Sequence, residues 1–539
     1  MKKYHLLLLT LLSGILLSLA WPARGFSPLL LFSFVPLLFV EDYLLNHREK
    51  FNRFAGFFYS YPSFFIWNLL TSWWIYYASD VGMALAIILN SFMMAIVFNL
   101  FHITRTHSYI KNQGYIALIA YWMAFEYIHL NWELSWTWLN LGNGFANNVQ
   151  WIQWYEYTGT FGGTLWILIV NIIVFHFIKA IISKQYRIRE KLIPSILAIL
   201  IIIGPIIISL FIYHTYEEKE DPVDIVVVQP NIDPYNEQYS APPSVVVSRI
   251  LNLARAKTDT SVSFVICPES ALQEYMWHSQ MENYKSIDSI WHFLSNHPNV
   301  SFIVGLSSRE FIPYGTEPTK AARKYHNTDR WYEEYNTSLF LDTSHQLQLY
   351  HKSKLVVGVE NMPFTDLIKP IEELAINLGG TVGTLGLSKE RKIFTHKKDS
   401  INVATVICFE SIFGAFCTKF VRNGANLLFI ITNDGWWKNT PGHKQHMSYA
   451  RIRTIESRRS IARSANTGIS ALINQRGDIL QQTLFWEPKV IRGILNSNSA
   501  ITFYVRFGDY LGRVAAFTSI LLLLITFSFM IIKRRNPLN

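Results

Sequence analysis

Eight apolar runs dominate this chain. They lie near residues 5–21, 27–45, 57–78, 82–101, 115–130, 164–182, 193–213 and 514–532, and each approaches the ~20 residues that a helix needs to cross a ~30 Å hydrocarbon core. Seven precede residue 214 and one closes the chain, while residues 214–510 carry ordinary charge density and no such run. The expected organisation is a membrane domain over 1–213 with seven transmembrane helices, a soluble domain over 214–510, and a last helix with a short tail over 511–539. Composition agrees: of 539 residues half are hydrophobic and only 16% charged, against roughly 25% in an ordinary soluble domain. Disordered, collagen-like and simple soluble classes are excluded.

The net charge of +10 has a topological explanation. Lys and Arg cluster at 2–3, 48–53, 105–111, 184–191 and 533–535, all on one side of the expected membrane, whereas the short loops of the other side carry only Arg24. Short cationic loops stay cytoplasmic. Seven crossings then put the soluble domain on the outer side, and no nucleic-acid partner is needed to account for the basic balance. Five tryptophans between residues 131 and 163, without Lys or Arg, suit an outer interface. Glu126, in the fifth run, is either a functional group or one that reaches that interface. Three cysteines, Cys267, Cys408 and Cys417, are too few for a disulfide framework.

Within the soluble stretch, short β-branched runs begin at Asp224, Val262, Val300, Thr337, Asn402 and Asn426 and read as buried strands. Helical candidates at 244–256, 284–296 and 442–464 lie between some of them or after the last. The class is α/β, with sheets covered by helices. Reactive groups in such folds gather where strands end. Three ends carry chemistry: Glu269 follows Val265-Ile-Cys-Pro, Lys352 follows Leu349-Tyr-His, and Cys408 follows Val406-Ile. A carboxylate base, an ammonium and a thiol together suffice for covalent acyl transfer, because the base takes the thiol proton and the ammonium stabilises an oxyanion.

In order and approximate spacing these three residues resemble the Glu-Lys-Cys triad of the nitrilase superfamily. Seven helices, an outer domain of that kind and one closing helix narrow the resemblance to the apolipoprotein N-acyltransferases. Val228-Gln-Pro-Asn-Ile, Thr432-Asn-Asp-Gly-Trp-Trp and the run from Ala450 through Asn466-Thr-Gly-Ile-Ser match as well. Three departures stand out. Leu355-Val-Val-Gly-Val-Glu360 replaces the usual Leu-Val-Pro-Phe-Gly-Glu, and Phe409 stands where Tyr is frequent. A tryptophan common after the first strand is absent, with Tyr235 or Tyr239 in its neighbourhood.

The resemblance implies a nitrilase-like αββα sandwich on a membrane domain of about eight helices. It implies a multi-pass enzyme of the bacterial inner membrane, its catalytic domain periplasmic, that needs no cofactor or metal. Its partners are a phospholipid donor, a diacylated apolipoprotein acceptor and the bilayer. An acyl chain would pass through a thioester on Cys408 to the α-amino group of the acceptor's S-diacylglyceryl cysteine. Glu269 would be the base, Lys352 the oxyanion stabiliser, Glu360 its orienting partner and Glu410 a positioning group.

Lipid substrates need an apolar approach, so the aromatic and apolar residues after the strand ends are expected to contact them. These are Tyr275, Met276 and Trp277, Phe409, Trp436 and Trp437, with Met362 and Phe364 beyond Glu360. Cys267 and Cys417 read as buried inert thiols. His443 and His446 lack a third ligand for a metal, and Arg451, Arg453, Arg459 and Arg463 read as the solvated or paired face of a helix. The alternative is a membrane-anchored amidase that passes the thioester to water.

Overall fold

The computed structural model describes residues 2–23, 25–107, 114–183, 188–326, 328–361 and 384–535. Met362 and Phe364, like the loop cations Arg24, Lys111, Lys184 and Arg187, lie outside them. The chain forms two compact units. One comprises Met1–Tyr76, Asp80–Thr215 and Phe507–Asn539, the other Tyr77–Ser79 and Tyr216–Arg506.

In the first unit every apolar run is helical: Lys3–Ala20, Val35–Asn46, Ala55–Ser72, Asp80–His107, Tyr115–His129, Thr160–Ile182, Ile188–Thr215 and Tyr510–Arg535. Six helical stretches among the described residues are long and apolar enough to cross a membrane. Ala55–Ser72 and Tyr115–His129 are not among them. The first is diluted by Ser60, Asn68 and Thr71, and the second has only 15 residues. Glu126 is enclosed within this unit. It is buried, accepting hydrogen bonds from Trp122 Nε1 (3.1 Å), Leu141 N (2.8 Å) and Thr164 Oγ1 (2.7 Å). Such full satisfaction is what keeps a buried carboxylate tolerable.

The second unit is an αββα sandwich. Its first sheet contains β1 (Pro222–Gln229), β2 (Phe264–Ile266), β3 (Leu272–Trp277), β4 (Ser301–Phe311), β5 (Arg323–Lys324), β6 (Trp331–Leu341), β7 (Gln348–His351) and β14 (Lys489–Asn496). The main path runs β14-β1-β2-β4-β6-β5, with β3 beside β4 and β7 beside β6. The second sheet runs β13-β12-β11-β10-β9-β8, from Ile479–Gln482, Ala471–Ile473, Ile461–Ala465, Leu427–Thr432, Ile401–Ile407 and Phe394–His396. In both, the central strands are parallel: β1, β2 and β4, then β9, β10 and β11.

Alternation along the strands explains the layers. Val226, Val228, Val265, Phe302 and Val304 pack against Val247, Ile250, Leu251, Ile287 and Ile290 of the helices Pro243–Arg255 and Lys285–Asn296. Residues of opposite parity meet the other sheet, as Phe264 does Phe429 (5.2 Å) and Phe340 does Phe394 (5.1 Å). A strand covered on both faces reads as an unbroken apolar run, which is why these six runs were legible.

One expected helix is too long. The stretch 442–464 divides into a helix Pro441–Ser457 and the strand β11, because Arg458 takes a left-handed φ of +49° and ends the helix. Of its arginines, Arg451 is half-buried and donates to the Gly477 carbonyl (2.7 Å), and the pairing expected of them holds at Arg453 and Arg463. Arg459 donates to the carbonyls of Ala425 (2.7 Å) and Ala500 (2.8 Å), Arg453 pairs with Glu456 (3.1 Å), and Arg463 contacts Asp434, all of them buried.

At Gly305 of β4 the backbone passes directly under the Glu269 loop. Gly305 N donates to Pro268 O (3.0 Å) and Ala271 N to Gly305 O (2.9 Å). A Cβ at Gly305 would lie 2.5 Å from Glu269 Cα, so something must move. Gly305→Ala is therefore expected to lower the thermal unfolding temperature, on the ~1–3 kcal/mol scale of overpacking, and to reduce activity. An unchanged melt in detergent with full activity would contradict this packing.

Candidate active site

Three chain turns converge at one end of the sandwich. After β2, Pro268 breaks the strand and Glu269 turns inward. Its Oε1 accepts hydrogen bonds from Asn336 Nδ2 (2.7 Å) and Lys352 Nζ (3.0 Å), and its Oε2 from the backbone N of Asn433 (2.9 Å). Lys352 follows β7, where its N bonds to Asn336 O of β6 (2.8 Å). Its ammonium is 1% exposed and also reaches Glu360 Oε1 (2.9 Å). Burial works against that charge, but the Glu269 and Glu360 carboxylates outweigh it and hold the Lys352 pKa well above its ordinary value.

The loop that departs from the family pattern still delivers Glu360. Gly358 takes φ +81°, Glu360 N returns to Val356 O (2.9 Å), and Val356 N donates to Glu360 Oε2 (2.8 Å). A tight turn closed by the glycine thus brings Glu360 back to Lys352.

Cys408 ends β9 and opens the short helical turn Cys408–Ile412. Its φ is +50°, a conformation costing a non-glycine residue about 1–3 kcal/mol. Neighbouring bonds hold it there. Glu410 Oε2 accepts from Ile407 N (2.8 Å), and Ser411 Oγ donates to Cys408 O (2.7 Å). Burial pushes the thiol pKa well up and the Glu269 charge adds to this, while Lys352 opposes. The resting sulfur is therefore a thiol that needs a base.

Glu410 ties the turns together. Its Oε1 accepts from Ser353 N (2.6 Å) and Tyr350 OH (2.8 Å), next to Lys352, while Oε2 holds the turn of Cys408. Burial raises its pKa to about 7 despite those bonds. Behind Cys408, His446 lies between Asp434 (2.9 Å) and Ser411 (2.9 Å), with Arg463 against Asp434. Burial alone would raise the Asp434 pKa; Arg463 and His446 hold it far below the carboxylate range.

Glu269, Lys352, Glu360 and Cys408 line one cavity together with Asn336, Asn433, Tyr239, Tyr275, Trp436 and Trp437. The expected lipid contacts divide. Trp436 and Trp437 line the cavity, and Tyr239 packs against Trp436 (6.4 Å). Met276, Trp277 and Phe409 do not line it. Met276 is wholly buried in the helix-facing core, Trp277 stacks on Phe311 (4.2 Å), and Phe409 is buried against Phe413 (5.2 Å). Of the expected cluster after Glu269, Tyr275 alone lines the cavity, because an irregularity in β3 between Leu272 and Met276 gives it φ +47°. Asn433 stands in the Thr432-Asn-Asp-Gly-Trp-Trp motif but had been given no role, and Asn336 had no signal beyond its place beside the run that begins at Thr337.

His443 and His446 do not converge: His443 stacks on Phe485 (4.3 Å). Elsewhere His278, Glu310 and His351 bring ligand atoms within 4.8 Å of one another. Their two imidazoles lie face to face, 4° from parallel, so their in-plane lone pairs do not aim at one ion.

Residues 225–502 match the family model described as Carbon-nitrogen hydrolase. The chain belongs to the carbon-nitrogen hydrolase family. Residues 13–173 match a second model, the Apolipoprotein N-acyltransferase N-terminal domain. Curated relatives named apolipoprotein N-acyltransferase align over nearly the whole length. That of Chlorobaculum tepidum is 28% identical, covering 94% of this chain and 93% of its own. Those of Geobacter metallireducens and Thermotoga maritima are each 24% identical, covering 93% and 95% of this chain and 91% and 93% of their own. The resemblance read from the motifs thus holds for both parts of this carbon-nitrogen hydrolase family member.

Glu360→Gln removes one of the two carboxylates that raise the Lys352 pKa. The alkaline limb of the pH–rate profile is expected to move to lower pH, and the rate near pH 7 to fall about 10–100-fold. An alkaline limb that stays in place would contradict the role given to Glu360.

Proposed function

We propose that this chain is a membrane-bound acyltransferase that moves an acyl chain from a phospholipid to the N-terminal amine of a diacylated apolipoprotein, with Cys408 as the relay. The observation that carries this is the sharing of Glu269 Oε1 by Lys352 and Asn336 in the cavity that Cys408 lines, in a chain whose other unit is apolar helices. The relatives' names supply the class of substrate.

Glu269 takes the thiol proton, and the thiolate attacks the ester carbonyl of the donor, for which phosphatidylethanolamine is the expected lipid. Lys352 stabilises the oxyanion. The intermediate collapses, the C–O bond breaks, and the lysophospholipid leaves with the proton from Glu269. The α-amine of the acceptor's S-diacylglyceryl cysteine then attacks the thioester, Glu269 takes its proton, and the sulfur departs. The product is a triacylated lipoprotein. Trp436, Trp437, Tyr239 and Tyr275 give the acyl chain an apolar path to Cys408. The one-sided Lys and Arg of the short loops support seven helices before the catalytic domain and its placement on the periplasmic side of the inner membrane.

Purified protein in detergent, given labelled phosphatidylethanolamine and a diacylated lipopeptide, is expected to yield labelled triacylated peptide, and Cys408→Ala to yield none. Release of free fatty acid without modified peptide would replace transfer by hydrolysis.

A further inference from the structure

Glu334 of β6 lines the catalytic cavity, is nearly buried, and sits between two guanidiniums. Arg309 of β4 contacts it through Nη2 (2.6 Å) and Nε (2.8 Å), and Arg323 of β5 pairs with its other oxygen. One carboxylate thus answers two cations. The remaining acids on these strands are engaged elsewhere: Glu333 with Thr319 and Tyr335, Glu310 with His278. Among the described residues Arg323 Nη2 is buried without a hydrogen-bond partner. A donor left so costs about 1–3 kcal/mol, more when charged. Arg309 also covers the face of Tyr275, 4.6 Å from its ring centroid, and Tyr275 lines the same cavity.

We propose that Arg309 and Arg323 receive the phosphate of the donor phospholipid, and so select phosphodiester-bearing lipids as acyl donors. The inference rests on the transfer reading above and adds to it a specificity-determining pair distinct from Glu269, Lys352 and Cys408. A guanidinium suits this ligand because its planar fork matches phosphate oxygens and stays charged when partly buried. Among the described residues one carboxylate faces both guanidiniums and Arg323 Nη2 has no acceptor; a phosphate supplies the second negative charge and that acceptor. The surroundings fit a lipid head-group. Trp277, beside Arg309 across β3 and β4, stacks on Phe311, and Arg330 lies over the same Phe311 ring at 3.6 Å. Aromatic rings mixed with cations are the usual furniture of a membrane interface. Trp277, outside the cavity itself, gains a place in this rim.

The test compares two acyl donors on the full chain in detergent, reading acylation of Cys408 by intact mass. One is phosphatidylethanolamine; the other is the p-nitrophenyl ester of the same fatty acid, which has no phosphate. The ratio of the two second-order acylation rates is expected to fall about tenfold toward the aryl ester in R323Q and in R309Q, as loss of one charge-assisted contact implies, and R323K to restore most of it. Because both donors share Cys408, a partial loss of folded protein cancels from the ratio. An unchanged ratio in both Gln variants overturns the proposal. Absence of acylation by either donor in the unaltered protein overturns the transfer reading itself, and this inference with it.

Discussion

A lysine ammonium buried between two carboxylates is the interaction on which the catalytic unit depends. Glu269 and Glu360 come from turns more than ninety residues apart, and their charges would repel if nothing lay between them. Lys352 Nζ bonds to both, and Asn336 Nδ2 spans the same two oxygens. Removing one member of a buried charge group leaves the rest uncompensated, at about 3–5 kcal/mol. The cluster therefore holds the ends of β2 and β7 to the middle of β6 as well as supplying the base and the oxyanion partner.

Around that cluster, buried polar links take over from apolar packing. Glu410 joins the turn of Cys408 to that of Lys352 through four acceptor contacts. Asp434, Arg463 and His446 brace the same turn from behind. Apolar contacts alone would tolerate sliding of these turns; directional bonds to satisfied buried groups do not. That rigidity is needed, because Cys408 sits in an unfavourable backbone conformation and its thiol is not acidic at rest.

Much of this was legible in the sequence. The six buried strands announced themselves because both faces of each are covered, and the eight apolar runs because each holds a helix, six helical stretches among the described residues being long and apolar enough to cross a membrane. Glu269, Lys352 and Cys408 stood out since each follows such a strand. What escaped depended on backbone detail. Tyr275, Met276 and Trp277 were all expected at the cavity, but the irregularity in β3 brings only Tyr275 to it. Arg458 ends a helix by a left-handed φ that an arginine rarely adopts, which concealed β11 and the buried character of Arg459 and Arg463. Asn336 acts through a side-chain amide on a strand whose neighbours gave no hint of it.

The central claim is that Cys408 carries the acyl group, made competent by Glu269 and Lys352. The most direct measurement is the intact mass of the protein after incubation with phospholipid and no acceptor. The account predicts a gain of one acyl chain, mapping to Cys408 and absent from Cys408→Ser. No gain, or an adduct on Cys267 or Cys417 instead, would contradict it.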